Sequence, residues 1–142
     1  MIQAVLDTNV LVQAVIGSSE CASCRVLKAY DAGKFSLVCS SATIDELLNV
    51  MLIPKIRERH GWSEDQILSF ALSLLAQADI FPGQQSVSVP IPRDVTDIKF
   101  LALAEQSKAD YLVTNDRRHL LPLKRFLTTR ILTPARFLKC LP

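Results

Sequence analysis

The chain has 142 residues, 49% hydrophobic and 21% charged, with a formal net charge of +2 and a mean hydropathy of +0.25. A chain of this length buries about two-thirds of its unfolded surface, so residues 1–142 are expected to form one domain, and the composition excludes intrinsic disorder. The longest apolar stretch, residues 66–78, is too short for a membrane helix, and Asp7 interrupts an N-terminal apolar run that has no basic segment before it, so no signal peptide and a cytoplasmic location are expected.

Ile2–Leu6 reads as a short apolar strand, broken by Asp7-Thr8-Asn9, with Thr8 placed to cap a helix over Val10–Val15. A turn at Gly17–Ser19 leads to a helix over Glu20–Ala32, closed by Gly33. Phe35–Cys39 is a second, buried strand, and Ser40 and Ser41 are placed to cap a helix over Thr43–Leu52. Pro54 starts a helical piece over Lys55–His60, and Ser63 with Gln66 forms a capping-box pattern for a helix to Ala78. Asp79–Phe81 is a strand fragment, and Ser86–Val89 alternates like an edge strand stopped by Pro90 and Pro92. Thr96 or Asp97 caps a helix over Ile98–Ser107, and Asp110–Thr114 is a strand ended by Asn115-Asp116. A short helix around His119–Leu121, a last strand over Thr129–Leu132 and a short helix started by Pro134 complete the chain. Alternation of this kind specifies an α/β domain with a mostly parallel sheet and helices on both faces.

The cysteines are Cys21, Cys24, Cys39 and Cys140, expected as reduced thiols. Cys21-Ala-Ser-Cys24 has CxxC spacing, but no second pair or histidine pair completes a zinc set, so these read as ordinary small residues. Charge is divided along the chain. Residues 1–116 hold 9 basic and all 14 acidic residues, whereas residues 117–142 hold 7 basic residues and no acid. An acidic body beside a basic tail suits cations in one place and a polyanion next to it.

Ligands of a parallel α/β sheet bind beyond the carboxyl ends of its strands. Asp7 follows the first strand, Glu46 lies about two turns into the helix after the second, Asp97 starts a helix, and Asp116 follows the strand of Tyr111–Thr114. Each acid alone has a structural explanation, such as a helix cap or a surface position. Together in one pocket they would repel one another unless a cation neutralised them, and oxygen ligands without a Cys or His set suit Mg²⁺ or Mn²⁺. Such a site supports metal-assisted phosphoryl chemistry.

Asp7-Thr8-Asn9-Val10-Leu11, Glu46 within Ser41–Leu47, Asp97 within Asp97–Ala102, and Thr114-Asn115-Asp116 resemble, in order and spacing over nearly the whole chain, the PIN domain, and within it the toxins of toxin–antitoxin pairs. The resemblance implies a three-layer α/β/α sandwich with a central mostly parallel sheet. It also implies Mg²⁺- or Mn²⁺-dependent cleavage of RNA leaving a 5′-phosphate and a 3′-OH, an antitoxin partner, and a homodimer or larger assembly. By motif match, Asp7, Glu46, Asp97 and Asp116 are the metal and catalytic residues, with Asn9, Thr114 and Ser40 as polar support. Asp94, three residues before Asp97, is an alternative ligand, and His119 stands where many members carry a further acid. Arg117 and Arg118, with Arg93, Lys99 and Arg125, are the expected phosphate contacts, giving affinity without sequence choice.

Helix 66–78 is apolar nearly all round, which fits either a helix sandwiched in the core or a groove for an antitoxin helix or second copy. Three rivals remain: a receiver-type phosphoacceptor, which lacks its early acidic pair and late Lys; a non-catalytic PIN-like RNA-binding or protein-interaction module; and a structure-specific DNA nuclease, whose helical arch is missing.

Overall fold

The computed structural model describes residues 1–95 and 97–142. Strands β1 (Gln3–Leu6), β2 (Ser36–Ser40), β3 (Asp79–Phe81), β4 (Tyr111–Val113), β5 (Arg125–Phe126) and β6 (Thr129–Leu132) form one sheet in the order β3-β2-β1-β4-β6-β5. All neighbours pair in parallel except β5, which turns back antiparallel on β6. The helices are α1 (Thr8–Ile16), α2 (Ala22–Asp31), α3 (Ser41–Met51), α4 (Pro54–His60), α5 (Glu64–Leu75), α6 (Lys99–Ser107) and α7 (Pro134–Cys140).

Strand alternation divides the apolar side chains into two cores. Ala4, Leu6, Leu37, Cys39, Val113 and Leu132 join α1, α2, α3, α5 and α7 on one face. Val5, Val38, Leu112 and Ile131 point the other way onto Phe100, Leu101, Leu103 and Ala104 of α6. Side chains of period two on a sheet covered on both faces give the three-layer sandwich that the sequence predicts.

Local differences have local causes. α1 starts two residues early, with Asp7 as its N-cap; the Asp7 carbonyl accepts from Val10 N–H, and Thr8 is drawn off to another partner and caps nothing. Cys21 caps α2, its sulfur accepting from Cys24 N–H at 3.2 Å, so the CxxC spacing is a helix start. α5 ends at Leu75, short of Ala78. It buries Ile67, Ala71 and Leu74 but exposes Leu68 and Leu72, so it is a surface helix and not a sandwiched one.

Ser86–Val89 forms no strand; Ser88 instead gives both its N–H and its hydroxyl to Glu105 Oε1, at 2.9 and 2.7 Å. α6 starts at Lys99 after Ile98 without a side-chain cap, Asp97 Oδ1 lying 3.5 Å from Lys99 N; the alternative cap, Thr96, lies outside the described residues. The β5–β6 hairpin is not foreshadowed by the sequence, because Leu127, at φ 54°, makes the turn where glycine or asparagine would announce it. A 3₁₀ turn at Leu121–Leu123 replaces the short helix expected around His119.

Candidate functional site

The site begins where β1 and β4 end side by side. Asp7 N–H donates to Val113 O at 2.9 Å, which brings Asp7 next to Thr114. The buried Thr114 hydroxyl donates to Asp7 Oδ2 at 2.6 Å and accepts from Asp116 N–H at 3.0 Å, linking the two acidic segments. Burial pushes the Asp7 carboxyl above its ordinary range; hydrogen bonds from Thr114 and the Asn9 backbone oppose this, and the negative charges of Glu46 and Asp116 add to it.

Glu46 reaches the same place from α3. Its Oε2 accepts a short hydrogen bond from Thr8, and its Oε1 an ion-paired one from Lys99 Nζ at 2.7 Å. Lys99 Nζ also lies 3.2 Å from Asp97 Oδ1. Burial disfavours the ammonium, but its bonds to Glu46 and Asp97 outweigh that and hold its pKa above the ordinary lysine value. Asp116 Oδ1 accepts from the backbone N–H groups of Arg118 and His119, both at 3.0 Å, and its Oδ2 lies 3.7 Å from His119 Nδ1.

A cleft of about 250 Å³ gathers these groups: Asp7, Glu46, Asp97 and Asp116 all line it, with Thr8, Asn9 and His119. Thr114 is buried beneath Asp7 as support. Ser40 does not belong to this shell: its hydroxyl accepts from Thr43 N–H in the α3 capping box, and it faces a different hollow beside β3. Asp94 and Arg93 are exposed on the preceding loop and line no part of the cleft. Lys99 sits among the acids as their counter-ion instead of standing free for phosphate. Arg118 is exposed outside the cleft, while Arg117 and Arg125 line a separate basic concavity.

Sequence reasoning missed the roles of Thr8 and Lys99. Thr8 had a ready reading as a cap. Lys99 carries a usable signal, since a lysine two residues after an acid at a helix start can swing back onto it.

Among the described residues, no three Asp, Glu, His or Cys side chains stand close enough to hold a metal ion. The donor chemistry nevertheless fits a hard cation. Lys99 is shared by Glu46 and Asp97 and offsets one of their two charges, while Asp7 and Asp116 face the cleft with no Lys or Arg paired to them among the described residues. A carboxyl pushed upward by burial, with its acidic neighbours adding to the shift, is what an added positive charge would relieve.

These features define an α/β sandwich with an acidic cleft at the carboxyl ends of its parallel strands. Residues 3–118 match the PIN domain family, and the chain belongs to it. The fold is similar to the crystal structure of VapBC2 from Rickettsia felis bound to a DNA fragment from their promoter, with a TM-score of 0.55 and 19% identity over 93% of this chain and 98% of that one. At that identity the likeness is one of fold. No curated protein matches the chain.

Proposed function

We propose that this protein is a divalent-metal-dependent endoribonuclease and the toxin of a toxin–antitoxin pair. The observation that carries the reading is the convergence of Asp7, Glu46, Asp97 and Asp116, from four separate segments, on one cleft. PIN domains are generally nucleases that use divalent metals, and the structural neighbour is a VapBC2 complex.

Asp7 and Asp116 would hold the metal, with Glu46 and Asp97 joining as Lys99 moves off them. When bound, Mg²⁺ or Mn²⁺ supplies Lewis acidity toward water and a phosphodiester. The chain's own residues do the rest. Thr114 fixes the Asp7 carboxylate and the Asp116 backbone together, and Thr8 fixes Glu46. Lys99, paired with Glu46 and Asp97 in this structure, would offset a phosphate oxygen if freed from one of them.

An antitoxin or a second copy would cover exposed apolar residues such as Leu52, Ile53, Leu68, Leu72 and Ile80. One observation favours a second reading, a catalytically weak RNA-binding or interaction module: Lys99 already pairs with two of the four acids.

Incubating the purified protein with single-stranded RNA in Mg²⁺ or Mn²⁺, with EDTA and an Asp116→Asn variant as controls, separates the readings. Cleavage that needs the metal and is lost in the variant is the expected result. Absence of cleavage by folded, metal-loaded protein across several RNAs would move the conclusion to the module.

A further inference from the structure

At the β5–β6 end of the sheet lies a second concavity, of about 790 Å³, lined by Arg117, Lys124, Arg125, Arg130 and Arg136 over a floor of Leu121, Ile131 and Leu132. None of these five cations is paired with an acid among the described residues. The antiparallel register sets Arg125 directly opposite Arg130. Like charges facing across a strand pair destabilise it, so the fold holds this arrangement at some cost. Arg130 is steadied by the Tyr111 ring, its guanidinium carbon 5.9 Å from the centroid.

The concavity adjoins the acidic cleft. Asp116 lines the cleft, and Arg117, the next residue, lines the basic concavity. Four of its five cations lie beyond residue 118, where the family match ends. We infer that this concavity binds the phosphate backbone of single-stranded RNA and leads the strand to the acidic cleft. The inference rests on the nuclease reading for the identity of its polyanion. With no aromatic ring in its lining, the site holds phosphates and stacks no bases, so it contributes affinity and little sequence choice.

The test is binding of fluorescein-labelled poly(U) RNA, followed by anisotropy in EDTA across a salt series, so that no cleavage intervenes. An Arg130→Gln/Arg136→Gln variant is compared with Arg25→Gln/Lys34→Gln, which removes the same charge from a basic hollow beside α2. The expected result is about tenfold weaker binding for the first variant alone, with the slope of log affinity against log salt reduced by roughly 0.7 for each phosphate no longer neutralised. Equal weakening in both variants, no weakening in a variant that circular dichroism shows to be folded, or no binding by the wild type would each overturn the inference. So would retained RNA binding with loss of binding to polyglutamate, which would assign the surface to an acidic protein. Wild-type binding without cleavage in Mg²⁺ or Mn²⁺ would instead defeat the nuclease reading and leave this one standing.

Discussion

Asp7→Asn should make the metal-free protein more stable while abolishing cleavage. Asp7 is 6% exposed, and its carboxyl is held above the ordinary 3.8 chiefly by burial. A carboxyl whose pKa is raised on folding binds its proton more tightly in the native state. Its contribution is therefore fully present below pH 3.8 and is lost as pH rises through the raised value. At pH 7 the ionised group is a net burden, even with Thr114 donating to it at 2.6 Å. Asparagine keeps the shape and an acceptor for Thr114 but removes the charge. The gain is about 1 kcal/mol, within the range for relieving a destabilised functional residue, and corresponds to a rise of about 3 °C in Tm for a domain of this size. The assay is thermal denaturation in EDTA at pH 7 and again at pH 4, where the difference should shrink. Titrating in Mn²⁺ should then stabilise the wild type, by about 2.7 kcal/mol at a hundredfold excess over Kd, and leave the variant unchanged. A variant less stable than the wild type at pH 7 without metal would refute the reasoning about the buried charge.

Lys99→Met removes the cation shared by Glu46 and Asp97; because Asp97 is half-exposed, metal-free stability should fall by only about 1 kcal/mol in urea denaturation, and by less at high salt. The same variant should bind Mn²⁺ more tightly by calorimetry, since a like charge has left the cleft; equal or weaker binding would show that Lys99 does not oppose the metal. Ser40→Ala should cost about 1 kcal/mol through the lost α3 cap and leave kcat unchanged, whereas a fall in kcat would return Ser40 to the site. Phe137→Ala empties a fully buried position whose ring lies 5.0 Å from Phe35 and 5.5 Å from Tyr111; it should cost about 3–5 kcal/mol and lower Tm by roughly 10 °C.

The parallel strands were legible because Ile2–Leu6, Phe35–Cys39 and Tyr111–Thr114 are short apolar runs bounded by turn residues, as strands buried on both faces must be. The acids were legible for a related reason: a strand that ends in Asp-Thr-Asn or Thr-Asn-Asp places its carboxylate where the sheet opens to solvent. Elements that depend on distant partners were hidden. Ser86–Val89 alternates like a strand, yet Glu105, far along the chain, takes its N–H and hydroxyl donors. The β5–β6 hairpin turns on a left-handed leucine, for which local sequence has no code. Within the site, Thr8 offered a hydroxyl with two uses, and only the position of Glu46 on α3 decides between them.

The uneven charge of the chain acquires a geometric meaning from these placements. The acidic residues 1–116 supply the cleft, and the basic residues 117–136 wrap the adjoining end of the sheet. The two fields meet at Asp116-Arg117, so a single peptide bond separates the group proposed to hold a cation from the first group proposed to hold a phosphate. A polyanion drawn to the basic side would otherwise be repelled by four carboxylates. Lys99, set among them, lowers that barrier before any metal binds. On this view the ammonium paired with Glu46 and Asp97 is compatible with catalysis, because it would ease the approach of a strand, and the two carboxylates it holds would remain available to a divalent ion. Tighter metal binding together with weaker RNA binding in Lys99→Met would be the joint signature, and a loss of both would break the link between the two sites.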